Sequence, residues 1–310
     1  MKIWWYKDKK IGHIKQVSVL IDELKKDHKV SIREIDCSKS TLIDFFRLFL
    51  SFFQNESTNN HPDMLIGAGH DTYLKILSDK NRFKDKTKSV AILKPSILRS
   101  NFDLVCAPEH DFEKDHENNI FLFKGSLAKV SDNDPDTNIG LIALGGLNNH
   151  YEFSSEDIIK QIEFIINLKN HQKWYIFNSR RTPNNLNLKL NKFTNNSIEF
   201  IDCNNKNDLG LDEILRKASI KVVTPDSVNL VFESLSSKSD TVLLHLNPKK
   251  DNKITKLMSS LIATGDIGYI KNDRVLDNLQ TYKLTPPHPH HQIYAEVEKV
   301  AFKISKLIEA

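Results

Sequence analysis

The chain has 310 residues, of which 39% are hydrophobic and 27% are charged, and its formal net charge is +4. This composition is typical of a globular protein and excludes an intrinsically disordered one, while the length suits two hydrophobic cores better than one. The mild positive charge fits a phosphorylated ligand or an anionic membrane surface. It falls short of the charge of nucleic-acid-binding proteins, so we expect no nucleic-acid partner.

Three cysteines, Cys37, Cys106 and Cys203, lie far apart and form no CxxC motif. This predicts a reduced, cytoplasmic protein. The apolar part of the amino terminus is too short for a signal peptide, and no run of about 18 apolar residues marks a transmembrane helix. Contact with the inner face of a membrane stays open as an alternative to a purely cytoplasmic location.

In the first half, short apolar runs alternate with amphipathic stretches, a pattern typical of parallel α/β proteins. Between the first two runs, apolar residues from Ile14 to Leu24 recur at helical spacing and predict a helix. The predicted strands are Lys2–Tyr6, Val30–Ile35, Met64–Ile66, Val90–Leu93, Leu104–Ala107 and Ile120–Phe123.

A polar, turn-rich segment, Leu127–Thr137, then predicts a linker. After it the same rhythm restarts, with a helix predicted at Ser154–Leu168 and a carboxyl-terminal helix at Tyr294–Ile308. The predicted strands of this half are Ile139–Leu144, Trp174–Phe177, Ile198–Ile201, Ile220–Val223 and Val242–Leu246.

We therefore predict an α/β fold with two Rossmann-like domains facing each other across a cleft. The first domain covers residues 1–126, the linker 127–137 and the second domain 138–293. Residues 294–310 form a final helix, whose return to the first domain is left open. Ligands of such sheets bind beside the carboxyl ends of the strands, so the loops that follow strands are the candidate sites.

The segment 220–233 is the most informative of these loops. Its β-branched strand stops at Thr224-Pro225, Asp226 and Ser227 follow at the position of a helix N-cap, and an apolar helix comes next. A helix amino terminus presents free N–H groups and favours anions such as phosphate. The alternative is an ordinary capped strand–helix junction.

Two other loops of the second half point to the same chemistry. Gly145 and Gly146 end the first strand of this half, and Arg180 and Arg181 follow the next strand. Guanidinium groups match phosphate oxygens well. We expect the glycine turn, both arginines and the helix start to line one phosphate-binding crevice.

In the first half, Gly12 and His13 follow the first strand. His13 is predicted in the first turn of a helix, where it is a candidate general base or phosphate ligand, with a solvated helix start as the alternative.

The third strand is followed by Gly67-Ala68-Gly69-His70-Asp71-Thr72, whose glycines suggest a backbone close to a ligand. The third glycine of the dinucleotide fingerprint and the lysine of the P-loop are missing, which argues against both motifs. Asp111, after the fifth strand, either lines the same site or belongs to a surface turn.

These segments together resemble the mitochondrial-fission (elongated-mitochondria) proteins and their bacterial relatives, which are regarded as glycosyltransferases. The resemblance is spread over about three quarters of the chain. The matching segments are GHIKQ (Gly12–Gln16), LIGAGHDT (Leu65–Thr72), FDLVCAPEHD (Phe102–Asp111), ALGGLNNHY (Ala143–Tyr151), SRRTP (Ser179–Pro183) and VTPDSVNLVFE (Val223–Glu233).

The resemblance implies a GT-B fold in which the second domain holds a nucleotide-diphosphate sugar and the first domain a glycan or lipid-linked acceptor. The diphosphate would rest on the N–H groups of Ser227, Val228 and Asn229, with Arg180 or Arg181 neutralising its charge. The remaining implied residues are Glu233 for the ribose, Gly145, Gly146 and Asp226 around the phosphates, His13 or Asp111 as base, and Gly12, Gln16, Gly67, Gly69, His70 and Thr72 on the acceptor side.

No tightly bound cofactor is expected, and the reaction is predicted to be metal-independent. Asp132-Asn133-Asp134 has DxD-like spacing but falls in the predicted linker, so it does not mark a dedicated Mg²⁺ site.

The sequence departs from the family at several positions. Lysines stand near Gly12 where the family usually has a second glycine, and Asp71 stands near a position that is usually basic or serine. Phe232 and Ser234 replace small residues around Glu233. Donor binding stays expected, whereas the acceptor side is less well supported.

Two other functions stay open. The plant members of the family act in fission and recruit dynamin-like proteins, so a non-catalytic adaptor is one alternative. A nucleotide-sugar epimerase with a GT-B fold is the other. An adaptor has no physical need for an anion pocket, and an epimerase should carry several carboxylates near the sugar.

Two segments invite further interpretations. Leu42–Phe53 is the most apolar stretch, for which core packing is the default and peripheral membrane contact the alternative. Pro286–His291 contains three histidines but no carboxylate at ligand spacing, which favours a loop over a metal site.

Overall fold

The alternation of apolar strands and amphipathic helices builds two α/β units. The computed structural model describes residues 1–37, 42–54, 61–112, 117–169, 173–205, 209–276, 279–289 and 293–309. Unit 1 consists of Met1–Ala128 and Ala295–Ala310, and unit 2 consists of Lys129–Tyr294. Two Rossmann-like units, with the last helix in the first of them, confirm the predicted fold class.

In unit 1 the described residues form a six-stranded parallel sheet with the order β2-β1-β3-β4-β5-β6. Its central strands β3 and β5 are buried throughout, because helices cover both faces of a parallel sheet. The strands are β1 (Lys2–Lys7), β2 (Ser31–Asp36), β3 (Met64–Ala68), β4 (Lys88–Ile92), β5 (Leu104–Pro108) and β6 (Ile120–Phe123). The helices are α1 (Ile11–Asp27), α2 (Leu42–Ser51), α3 (His70–Phe83) and α9 (Glu296–Glu309).

Helix α9 belongs to unit 1 because its apolar stripe packs there. Val297, Val300 and Ile304 are fully buried, and the helix packs on α1. The carboxylate of Glu296 also accepts a hydrogen bond from the backbone N–H of Lys124 at 2.9 Å. The return of the carboxyl terminus to the first domain, which the sequence left open, is thus settled by packing.

Unit 2 holds a seven-stranded sheet with the order β13-β12-β11-β10-β7-β8-β9 among the residues described. All its strand pairs are parallel except β12 and β13. The strands are β7 (Asp136–Ala143), β8 (Lys173–Phe177), β9 (Ile198–Ile201), β10 (Ala218–Val223), β11 (Asp240–Leu243), β12 (Gly268–Leu276) and β13 (Leu279–Thr285). The helices are α4 (Ser155–Leu168), α5 (Asn184–Asn191), α6 (Leu211–Lys217), α7 (Val228–Leu235) and α8 (Lys253–Ala263).

Three details of unit 2 differ from the sequence prediction. The antiparallel pair β12–β13 was not predicted, because its polar and charged residues hide the alternation of an edge hairpin. Strand β11 ends at Leu243, earlier than expected. Residues 129–137 of the predicted linker lie in unit 2, where Ser131 pairs with Ser237 and β7 already begins at Asp136.

No described helix is long and apolar enough to cross a bilayer.

Candidate functional site

Three neighbouring strands bring the predicted loops of unit 2 together. Strand β7 lies between β8 and β10, and Ala143 pairs with Phe177 on one side and Val223 on the other. Because the three strands are parallel, the loops that follow them emerge at one edge of the sheet. The glycine turn, the arginine loop and the start of α7 are therefore neighbours.

The glycine turn is held on both sides by hydroxyl groups. The N–H of Gly145 donates to Thr224 Oγ1 at 2.7 Å, and its carbonyl oxygen accepts from Ser179 Oγ at 2.6 Å and Thr182 Oγ1 at 2.5 Å. A Cβ at Gly146 would lie 2.1 Å from the carbonyl of Arg181. Glycine is thus required here for close approach of two loops.

Asp226 ties the turn to the arginine loop. Its Oδ2 accepts from the N–H of Gly146 at 3.1 Å and pairs with Arg181 Nη2 at 2.9 Å. The side chain is fully buried, and Oδ1 lies 2.3 Å from where a Cβ of Gly145 would stand. The expectation that Asp226 caps the helix is wrong, because the Gly146 amide and the guanidinium take its carboxylate instead.

The amino terminus of α7 carries no side-chain cap. Ser227 occupies the N-cap position in an extended conformation, and its hydroxyl makes no capping bond. The first N–H groups of any helix have no partner within the helix, so this end keeps its partial positive charge. It opens on a cavity of about 450 Å³, whose lining residues are Leu147, Asn148, Asn149, His150, Arg181, Asp226, Ser227, Val228 and Asn229.

The two adjacent arginines diverge. Arg181 lines the cavity, and its Nη1 also donates to the carbonyl of Leu147 at 3.4 Å. Arg180 does not line this cavity and lies near Cys203. Burial raises the pKa of the Cys203 thiol, Asp202 adds to this, and Arg180 acts in the opposite direction. Of the groups predicted to line one crevice, Arg181 and the start of α7 line this cavity, whereas Arg180 and the glycine turn do not. Glu233 is half-buried in the second turn of α7, outside the cavity lining.

Asn148 shapes the opposite wall. Its Oδ1 accepts from the N–H groups of His150 and Tyr151, both at 2.7 Å, and its Nδ2 donates to the carbonyl of Gly146 at 2.8 Å. Lys249 Nζ donates to the Asn148 carbonyl at 2.8 Å, which brings a second cation to this wall. The sequence offered no signal for Lys249 among many other lysines. Burial, with the charge of Asp226, raises the pKa of Tyr151 to about 12.

Unit 1 holds a second arrangement, an Asp8–His13 pair. His13 lies in the first turn of α1, as predicted, and its Nδ1 is 2.6 Å from Oδ2 of the buried Asp8. The other oxygen of Asp8 accepts from the N–H of Lys10 at 3.0 Å. An ionised carboxylate can only accept, so Asp8 holds the proton of His13 on Nδ1 and leaves Nε2 as the basic atom. The sequence carries no signal for Asp8, because it lies among three lysines.

The loop after β3 supports this pair. Gly69 has φ +92°, and a Cβ there would lie 2.5 Å from both Asp8 Oδ2 and His13 Nδ1. Its N–H donates to the Tyr73 hydroxyl at 3.0 Å, which in turn donates to the carbonyl of Ile92 at 2.8 Å. The backbone of Gly69 therefore lies directly against the Asp8–His13 pair, and a side chain at this position would collide with it.

Three predicted acceptor-side residues are internal instead. Thr72 is fully buried and donates to the carbonyl of Gly69, and Gly67 lies within β3. Gln16 is buried, and its Oε1 accepts from the N–H of Leu127 at 3.2 Å. The polar groups of Thr72 and Gln16 are thus used within unit 1, where they support the loops. Gly12 lies in the first turn of α1, beside His13.

His70 and Asp111 lie at the same edge of the unit 1 sheet. His70 is exposed at the start of α3, with its ring edge-on to Tyr73. The carbonyl of Asp111 accepts from Lys94 Nζ at 2.7 Å, in a 3₁₀ turn directly after β5. Burial raises the pKa of Tyr73, and the charges of Asp8 and Asp111 both add to this. Asp111 is thus close enough to Tyr73 to raise its pKa, and the Tyr73 hydroxyl holds Gly69 beside the Asp8–His13 pair.

Among the described residues, no three His, Cys, Asp or Glu side chains cluster as metal ligands. The absence of a metal in the reaction stays a prediction. Of the histidines in Pro286–His291, His288 packs against Gly265, whereas residues 290 and 291 lie outside the described part of the chain.

The two-unit architecture is similar to solved structures. One is the UDP-GlcNAc 2-epimerase of Methanocaldococcus jannaschii, with TM-score 0.50, 13% identity and coverage of 99% of this chain and 100% of that chain. A second is a Listeria monocytogenes protein assigned as a UDP-N-acetylglucosamine 2-epimerase, with TM-score 0.53, 11% identity and coverage of 100% and 88%. MurG of Acinetobacter baumannii matches with TM-score 0.49, 10% identity and coverage of 87% and 85%. The first two likenesses show a GT-B fold.

No curated protein matches the sequence. The model of one family, described as Mitochondrial fission ELM1, matches residues 11–299. This match spans most of the chain and confirms the resemblance found in its segments. The chain therefore belongs to the mitochondrial fission ELM1 family.

Proposed function

We propose that this protein is a glycosyltransferase that transfers a sugar from a nucleotide diphosphate to a glycan or lipid-linked acceptor. The observation that carries the proposal is the cavity of unit 2, which is lined by Arg181 and an uncapped helix start and lies beside the glycine turn. These are the elements that bind a diphosphate in α/β proteins. The two solved structures of similar fold are assigned as enzymes acting on UDP-GlcNAc, which supports a nucleotide sugar as donor.

In this proposal the N–H groups at the start of α7 bind the diphosphate, and Arg181 and Lys249 neutralise its charge. Asp226 is a positioning residue, because it fixes Arg181 and the Gly146 amide on one carboxylate oxygen. The N–H groups and the cations also stabilise the diphosphate as it leaves, so the step requires no metal.

His13 is the proposed base in unit 1. Its Nε2 takes the proton of the acceptor hydroxyl as the oxygen attacks the anomeric carbon and the bond from that carbon to the diphosphate oxygen breaks. Asp8 holds the opposite ring nitrogen and stabilises the imidazolium that forms. Asp111 is the second candidate for this role.

A Ser227→Trp substitution tests the helix start. The indole would cover the first turn of α7, so we expect affinity for uridine diphosphate to fall at least tenfold, about 1.4 kcal/mol. Gly210→Trp is the matched control, since Gly210 is also an N-cap position of unit 2 and has open space around its Cα. Isothermal titration calorimetry measures both variants. Unchanged affinity in Ser227→Trp would show that the diphosphate does not bind here.

The divergence of the arginines gives a second test. Arg181→Gln should weaken uridine diphosphate binding roughly tenfold or more, because a charge-assisted hydrogen bond is lost and the carboxylate of Asp226 loses its counter-ion. Arg180→Gln should change the affinity less than about twofold, since Arg180 lies outside the cavity. Equal losses in the two variants, measured by the same titration, would contradict the assignment.

The alternatives are separated by a thermal-shift panel of nucleotides and nucleotide sugars. A ligand that binds only the folded protein raises its Tm. A pure adaptor predicts no shift with any member of the panel. An epimerase predicts that UDP-GlcNAc is converted to its 2-epimer without an acceptor, which proton NMR detects.

A further inference from the structure

Helix α2 of unit 1 presents its large apolar side chains to the outside. Eight such side chains in and after this helix have exposed fractions between 41% and 86%. Core packing was the default expectation for this segment, and it is wrong. The eight are Leu42, Ile43, Phe45, Phe46, Phe49, Leu50, Phe52 and Phe53, which we call the outer face of α2.

The inner stripe of α2 is largely polar. Asp44, Leu48 and Ser51 are its buried residues, at helical spacing, and they face α3. Asp44 lies 3.7 Å from Lys75 Nζ, and Ser51 Oγ accepts from Asn81 Nδ2 at 3.0 Å. A surface helix of a globular protein buries its apolar stripe and exposes its polar one. Helix α2 does the reverse, so its apolar residues serve contact with something outside unit 1.

A basic residue lies at the margin of the outer face. Arg47 is exposed, and no acidic side chain of the described residues pairs with it. A cavity of about 480 Å³ adjoins the helix and is lined by both Arg47 and Leu50. Two further cations line this cavity, Lys75 and Arg82, and each has a carboxylate neighbour. Asp44 and Asp79 offset the charges of Lys75 and Arg82, so Arg47 supplies the net positive charge of this margin and is available to an anion.

We propose that the outer face of α2 binds the surface of a lipid bilayer that contains anionic headgroups. Its phenylalanine and leucine side chains would enter the boundary of headgroups and acyl chains, while Arg47 contacts lipid phosphates. The ten-residue helix is about 15 Å long, half the thickness of the hydrocarbon core, which is too short to span it; in this proposal the helix lies in the plane of the membrane.

Two features favour a bilayer over a second copy of the chain. The apolar side chains lie on a single helix and on the two residues after it, a surface that a fluid bilayer can surround without a complementary groove. In a twofold contact between two α2 helices, the Arg47 side chains of both copies would approach one another as like charges. The surface does not depend on the nucleotide site, so the two proposals can fail separately.

Vesicle flotation with the full chain tests the surface. The probes are vesicles of phosphatidylcholine alone and of phosphatidylcholine mixed with an equal part of phosphatidylglycerol. We expect the parent to bind the anionic vesicles, and Phe46→Ser combined with Phe49→Ser to bind them at least about tenfold more weakly. The matched control is Phe302→Ser, because Phe302 is 66% exposed on α9 of the same unit. It should bind as the parent does.

A second variant isolates the electrostatic part. Arg47→Gln should reduce the preference for anionic over neutral vesicles and its sensitivity to salt, while leaving the apolar contribution in place. Circular dichroism and the Tm of each variant establish that it is folded, and neither measurement depends on the nucleotide site.

Three outcomes overturn the proposal. The first is a parent that does not float with anionic vesicles, and the second is a double variant that floats as the parent does. The third is a parent that dimerises without binding vesicles and becomes monomeric in the double variant, as judged by analytical ultracentrifugation, because a second copy would then cover α2.

Discussion

Replacing Lys221 with methionine is expected to lower the free energy of unfolding of unit 2 by about 3 kcal/mol or more. Lys221 lies on the central strand β10 and is fully buried. Its Nζ contacts the carbonyl oxygens of Ser234 at 2.5 Å, Ser237 at 3.0 Å and Lys238 at 2.9 Å, and the hydroxyl of Ser237 at 2.8 Å. Methionine fills a similar volume but has no N–H to donate to these oxygens.

The position of these oxygens explains the size of the effect. They lie at the carboxyl end of α7 and in the turn after it, where the last carbonyl groups of a helix have no partner within the helix. An amine in that place satisfies them and complements the helix dipole. Lys221 thus anchors the far end of the same helix whose amino terminus opens on the proposed diphosphate site.

Urea denaturation followed by Trp174 fluorescence measures this loss. Trp174 lies in unit 2, and Trp4 and Trp5 of unit 1 are replaced by phenylalanine in parent and variant alike. Lys238→Met is the matched control, because Lys238 is an exposed neighbour whose ion pair with Asp134 is on the surface and contributes about 0 to 1 kcal/mol. Equal unfolding midpoints for Lys221→Met and the control would contradict the role given to Lys221.

The pH dependence of the same measurement gives an independent readout. Burial lowers the pKa of Lys221 to about 7, while Asp240 acts in the opposite direction. In the unfolded chain a lysine has a pKa of about 10.4, so between about pH 7 and pH 10 the unfolded state binds more protons than the folded state. The free energy of unfolding should therefore rise with pH in this window, by at most about 1.4 kcal/mol per unit. Lys221→Met should lack this rise.

The largest expected effect on catalysis comes from His13. A His13→Gln variant should lower kcat roughly 100- to 10,000-fold, the usual contribution of a general base, with KM for the nucleotide sugar little changed. Release of nucleoside diphosphate from UDP-GlcNAc, or from any nucleotide sugar that raises the Tm, is the measurement. His28→Gln is the matched control, because His28 is the C-cap residue at the other end of α1.

Asp8→Asn separates a positioning role from a structural one. An asparagine can donate to Nδ1, which would place the proton of His13 on Nε2 and remove its basic atom. We expect kcat to fall and its dependence on pH to change on the acid side of the optimum. The Tm with bound nucleotide should stay close to that of the parent. A lowered Tm with an unchanged pH profile would make Asp8 a structural residue only.

The order of helices and strands was predictable from the sequence because it depends on local periodicity. The apolar runs of β1 to β11 and the stripe of α9 are visible in windows of a few residues. The pair β12–β13 was not, since its strands are polar and depend on pairing with each other. The outward orientation of α2 was not either, because the same apolar residues satisfy a core and an external contact equally well.

The candidate site divides in the same way. Gly145, Gly146, Arg181 and Ser227 were predictable because each lies in a loop that follows a strand, and parallel strands bring such loops to one edge. Only the tertiary structure decided that Asp226 binds Gly146 and Arg181 instead of capping α7, that Arg180 turns away, and that Asp8 orients His13. Hydrophobic periodicity is a property of neighbouring residues. The partner of a polar side chain depends on which distant segment folding brings within hydrogen-bonding distance, as with Gly146 and Asp226, which lie 80 residues apart.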